Sequence, residues 1–77
     1  MNVNNFHRIH IVISDPESGA VWDEQFIPII AGGTRPMLIL NCIYDGYVVE
    51  EKEYGRLYFE ADIDGDRIYS RVFNGQL

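Results

Sequence analysis

Two Asp-Gly pairs, Asp45-Gly46 and Asp64-Gly65, constrain this chain more than any other feature. A two-residue type I′ turn needs φ > 0 at both central positions, and its twist matches that of paired strands, so Asp-Gly between apolar runs marks a β-hairpin. The runs around these pairs are short and rich in Ile, Val, Tyr and Phe, which favour strands. The expected fold is all-β: a small antiparallel meander of five to six strands, curled into a bent sheet or a small barrel.

The first expected strand, Phe6 to Ser14, alternates. His7, Ile9, Ile11 and Ile13 fall on one face, and Phe6, Arg8, His10 and Val12 on the other. Asp15-Pro16-Glu17-Ser18-Gly19 then reverses the chain, because Pro fixes φ and Gly admits φ > 0. A second strand is expected over Ala20 to Ile30, and Pro28, with no N–H to donate, means that it lies at a sheet edge or ends early. After the loop Ala31 to Pro36, the run Met37 to Tyr44 is apolar on both faces and reads as a strand that sits centrally or beneath a partner.

Asp45-Gly46 would turn that strand into another over Tyr47 to Lys52, with Tyr44 opposite Tyr47, Cys42 opposite Val49 and Leu40 opposite Glu51. Asp64-Gly65 would join Leu57–Ile63 to Asp66–Phe73. That register puts Asp62 opposite Arg67, Glu60 opposite Tyr69 and Tyr58 opposite Arg71 on an outer face. Leu57 with Val72, Phe59 with Ser70 and Ala61 with Ile68 would then face the core. A helix over residues 47–61 competes, since Tyr47, Tyr54, Tyr58 and Ala61 fall near helical spacing. Gly55 and the β-branched and aromatic residues around it argue against that helix.

Seventy-seven residues, 47% of them apolar, are expected to form a single β domain over residues 1–77. No stretch reaches the ~18 apolar residues of a membrane helix. Met1 to Asn5 lacks the basic and apolar regions of a signal peptide, so a cytoplasmic location is expected, in the host cell if the chain is phage-encoded. Cys42 is the lone cysteine, which leaves neither a disulfide nor a cysteine-rich zinc site, and within an apolar run its thiol is expected to be buried and inert.

Twelve acidic against six basic residues give a formal charge of −6, unsuited to nucleic acid or an anionic membrane and suited to a protein with a basic surface. Residues 45–67 hold eight of the acids (Asp45, Glu50, Glu51, Glu53, Glu60, Asp62, Asp64, Asp66) against three bases, and so five of the six net charges. A solvated polar face would account for this run as well as an acidic patch would.

Catalytic and metal motifs give little. Asp62-Ile63-Asp64-Gly65-Asp66 resembles the start of a calcium loop, but the glycine is misplaced and Phe73 stands where a bidentate Glu is needed. His7 and His10 point to opposite faces of a strand. There is no nucleophile elbow, zinc-protease helix, phosphate loop or dinucleotide fingerprint. No enzyme, cofactor or metal is expected.

Two candidate sites remain. The final hairpin would expose Tyr58, Tyr69 and Arg71 beside Glu60 and Asp62. With Asp64, Glu50 and Glu51 these make a candidate partner-binding surface, because Tyr and Arg are enriched at binding hot spots. In the Gly32-Gly33-Thr34-Arg35 loop, inward-turned N–H groups, a hydroxyl and a guanidinium could cradle a nucleotide or another anion, although a plain connecting turn is the simpler and favoured reading. The leading expectation is a small acidic inhibitor or modulator of a larger protein, of the kind phages and mobile elements use against host defence or nucleic-acid enzymes. The alternatives are a small-ligand sequestering protein and a structural component of a virion or assembly. Excess apolar surface at Ile27–Ile30 and Met37–Leu40 adds the expectation of a homodimer.

Overall fold

The computed structural model describes residues 6–30, 32–33, 35–50 and 56–74. They form two antiparallel hairpins joined through a helix: β1 (Phe6–Ser14), β2 (Val21–Ile30), α1 (Pro36–Glu50), β3 (Arg56–Ile63) and β4 (Asp66–Asn74). The four strands make one open antiparallel sheet in the order β2-β1-β3-β4, and α1 packs on one face. The protein is mostly β, but the expected third and fourth strands are replaced by a helix, and the sheet does not close into a barrel.

The first hairpin follows its local chemistry. Asp15 organises the turn: its carboxylate accepts from the Glu17 N–H at 2.9 Å and the Ser18 hydroxyl at 3.0 Å, and its carbonyl accepts from the Gly19 N–H. Gly19 takes φ 81°, a left-handed conformation that favours glycine. β2 is an edge strand, so Pro28, opposite Arg8, leaves no ladder bond unmade on its outer side. Between Ile13 and Ser14 the register slips by one residue, and Trp22 packs against the core there.

The sheet buries Ile9, Ile11 and Ile13 from β1, Ile29 from β2, and Leu57, Phe59 and Ala61 from β3. A row of this size must be covered, and α1 covers it with Leu40 and Tyr44, assisted by Ile43, Tyr47 and Val48. These positions recur at intervals of three and four, the spacing of one helical face. Pro36 starts the helix, where its missing N–H costs nothing, and the Arg35 carbonyl accepts the Ile39 N–H at 3.1 Å. Phe59 lies at the centre of the interface with the rings of Tyr44, Tyr47 and Tyr69 edge-on, at centroid distances of 5.6, 6.2 and 5.5 Å. Each such pair contributes about 0.5–1.5 kcal/mol beyond burial alone.

The helix corrects three expectations. Asp45-Gly46 is not a turn: it lies inside α1, and Gly46 is not among the positive-φ residues. The pairings Tyr44–Tyr47, Cys42–Val49 and Leu40–Glu51 therefore do not form. Cys42 is exposed rather than buried, because helical spacing turns it away from the sheet. The competing helix over 47–61 is also displaced, since residues 57–61 are strand and the helix begins at Pro36.

The final hairpin is present with its type I′ turn, Asp64 at φ 54° and Gly65 at φ 87°. Asp62 opposes Arg67 as expected, but a bulge follows. Beyond it Ala61 opposes Tyr69, Glu60 opposes Ser70, Phe59 opposes Arg71, Tyr58 opposes Val72 and Leu57 opposes Phe73. One extra residue in β4 reverses the faces of everything after it, because side chains alternate with a period of two. Tyr69, Arg71 and Phe73 thus join the helix side, and Ser70 and Val72 the outer side. No helix among the described residues is long and apolar enough to cross a membrane.

Candidate functional site: the open sheet face

The face opposite α1 has no covering layer among the described residues. The ladder registers place Arg8, His10 and Val12 of β1 on it, together with Glu24 and Phe26 of β2, Tyr58, Glu60 and Asp62 of β3, and Arg67, Ser70 and Val72 of β4.

Phe26 is its apolar centre, 51% exposed although it is a large aromatic. His10 lies parallel to the Phe26 ring, centroids 4.5 Å apart and planes within 5°, and the Arg8 guanidinium carbon stands 5.0 Å from the ring centroid. The aromatic ring is therefore held in place by a flat ring and a cation that would otherwise be free to move. His10 also links three strands. Its Nε2 lies 2.5 Å from Glu24 Oε2 on β2, and its Nδ1 3.9 Å from Asp62 Oδ1 on β3. Glu60 pairs loosely with Arg67 at 3.9 Å. Three carboxylates against two guanidiniums leave the rim acidic, and all of these groups are accessible to a partner.

The candidate binding residues divide between two faces. Tyr58, Glu60 and Asp62 are half-buried on the open face, and Asp64 is exposed at the tip of the turn. Tyr69 and Arg71 are not with them. The Tyr69 hydroxyl donates to Asn41 Oδ1 at 2.7 Å, and the Arg71 guanidinium lies 4.1 Å from the Tyr44 ring centroid while donating to the Tyr69 hydroxyl at 3.4 Å. They clamp the helix to β4. Burial raises the Tyr44 hydroxyl above its ordinary pKa of 10.0, with Arg71 opposing the shift. Glu50 is the last residue of α1, and its side chain and the whole of Glu51 lie outside the described residues.

In the glycine loop, Gly32 takes φ 84° and Arg35 is exposed, while Thr34 lies outside the described residues. The Arg35 carbonyl begins the helical hydrogen bonding, so the loop has a connecting role whatever else it does.

Nothing in the sequence by itself marks Phe26, His10, Arg8 and Glu24 as one site. Alternation in β1 and the edge position implied by Pro28 were the signals that could have paired them. The contacts on the open face are stacking, cation–π and carboxylate pairing; a nucleophile hydrogen-bonded to His10 is not among those of the described residues. Nor do three His, Cys, Asp or Glu groups of the described residues come together as metal ligands. No family model, curated protein or solved structure matches the chain.

Proposed function

We propose that this chain is a small acidic, non-enzymatic protein that docks its open sheet face on a larger protein with a basic surface and blocks or modulates it. The mode of action resembles that of phage and mobile-element inhibitors of host defence or nucleic-acid-binding enzymes, with the host cytoplasm as its setting. The observation that carries this reading is the half-exposed Phe26, stacked by His10 and Arg8 and rimmed by Glu24, Glu60 and Asp62. Interfaces concentrate their energy in desolvated aromatic and Arg anchors, and a charged rim speeds encounter and selects the partner. Tyr58 on the same face adds a second aromatic, and Asp64 extends the acidic rim to the turn. Carboxylates so arranged compete with phosphates for a basic groove.

The test compares wild type with Phe26→Ala and with the double charge reversal Glu60→Lys/Asp62→Lys in quantitative affinity capture, followed by binding measurements on the captured protein. Removing the anchor should weaken binding by about 30-fold. Charge reversal should slow association at low salt and matter less at high salt. Equal binding by all three proteins would remove this face as the docking surface.

A further inference from the structure

The sheet side of α1 is covered, and its outer side is bare. Met37 to Tyr44 holds no charged residue and is apolar at every position but Asn41. A helix apolar around its whole circumference belongs in an interior, yet Leu38, Cys42 and Gly46 lie exposed on the side away from the sheet, Leu38 by 58%. Arg35, Leu38, Cys42 and Asp45 follow one another at steps of three, four and three, the spacing of a two-helix seam. Arg35 belongs to that seam because its carbonyl accepts the first helical bond, from the Ile39 N–H. Among the described residues, neither Arg35 nor Asp45 makes an ion pair with its own chain. One guanidinium and one carboxylate leave the seam neutral, so two copies of a chain of charge −6 can meet there without local repulsion.

We propose that α1 packs antiparallel against α1 of a second copy of this chain along the seam Arg35, Leu38, Cys42 and Asp45. A two-fold axis level with residue 40 satisfies the whole seam at once: Leu38 meets Cys42 of the second copy, and Arg35 meets its Asp45. Sliding the pair by one heptad sets Arg35 against Leu38 in one direction, or Cys42 against Asp45 in the other. Either slip buries a charge beside an apolar group. The two sheets then lie on opposite sides of the helix pair and turn both Phe26 faces outward, so the dimer carries the docking face twice. A seam of one 15-residue helix is small. It buries less than the ~800 Å² per partner of a stable complex, so the pairing is weak, with Kd on the order of 100 μM. Unfolding measured at low micromolar concentration therefore reports the monomer.

The experiment is sedimentation equilibrium from about 10 μM to about 2 mM, a range that brackets the expected Kd, with folding followed by circular dichroism. The proteins are wild type, Leu38→Lys, Met37→Lys, Arg35→Asp, Asp45→Arg and an equimolar mixture of the last two. Leu38→Lys should stay monomeric throughout, whereas Met37→Lys, exposed but off the seam, should dimerise as wild type does. Arg35→Asp and Asp45→Arg each set like charges together at both ends of the seam and should self-associate roughly tenfold more weakly. In their mixture every Asp meets an Arg, and the heterodimer should recover wild-type affinity. Arg35→Asp is the stricter arm: Asp suits a helix N-terminus, and the influence of Asp45 on Arg71 of its own chain stays intact. A wild type still monomeric at the highest concentration, or equal effects of Leu38→Lys and Met37→Lys, would overturn the helix pairing; a mixture that pairs no better than its components would overturn the register. Phe26→Ala, altered on the opposite side of the sheet, should dimerise as wild type does, which separates this test from that of the docking surface.

Discussion

Replacing Gly46 by alanine distinguishes a helix from a hairpin at Asp45-Gly46 by the sign of the effect. In α1, Gly46 is an exposed interior residue with an ordinary helical backbone, and a Cβ built on it meets nothing within 4 Å. No clash and no packing gain then enter, and only backbone propensity remains. Alanine is favoured over glycine in a helix interior by about 1 kcal/mol. For a domain of this length that corresponds to a rise in Tm of roughly 4–8 °C. A type I′ turn would need φ > 0 at residue 46, and alanine there would cost about 1–2 kcal/mol instead. Gly65 is the internal control, since it too has open space around its Cβ but sits at φ 87°, so Gly65→Ala should lower Tm. Both variants are measured by thermal and urea unfolding followed by far-ultraviolet circular dichroism. A fall in Tm for Gly46→Ala, parallel to that of Gly65→Ala, would refute the helix and restore the second hairpin.

Leu40 is fully buried beneath α1 and Leu38 is 58% exposed on its other side, so Leu40→Ala should cost about 2–5 kcal/mol and Leu38→Ala under about 0.5 kcal/mol in urea unfolding. Equal costs would mean that a different helix face meets the sheet. At Asp15, the Glu17 N–H and then the Ser18 hydroxyl hold the carboxyl below its ordinary value of 3.8. Its contribution to stability is present above that value and is lost as pH falls through the lowered folded-state value. Asp15→Asn should therefore flatten part of the acid slope in a pH series of urea midpoints below about pH 4, and an unchanged slope would contradict the turn's hydrogen bonding.

Sequence reading succeeded where a short stretch carries its own reason. Alternation in Phe6–Ser14, the Asp15 turn, the edge role of Pro28 and the Asp64-Gly65 corner each depend on a handful of neighbouring residues, and each is found as expected. It failed at Met37–Tyr44. There apolar residues occupy every position but Asn41, so the helical set Leu40, Ile43, Tyr44, Tyr47 and Val48 is hidden among Met37, Leu38 and Ile39. Two of the eight candidate partner-binding residues were lost to the bulge in β4. No residue type there announces the bulge, yet it moves Tyr69 and Arg71 to the opposite face from Tyr58, Glu60 and Asp62.

Turn chemistry and strand alternation are local, and they were enough to specify two hairpins and an acidic outer rim from the residues alone. Helix or strand for residues 36–50 is settled by a distant demand: the bare Ile9, Ile11, Ile13, Leu57 and Phe59 row needs a cover, and the gain from burying it outweighs the strand preference of Val48, Ile43 and Ile39. Which side chains share the open face is likewise decided only when β1 lies between β2 and β3, because that pairing brings Phe26, His10 and Asp62 from remote parts of the chain onto one surface.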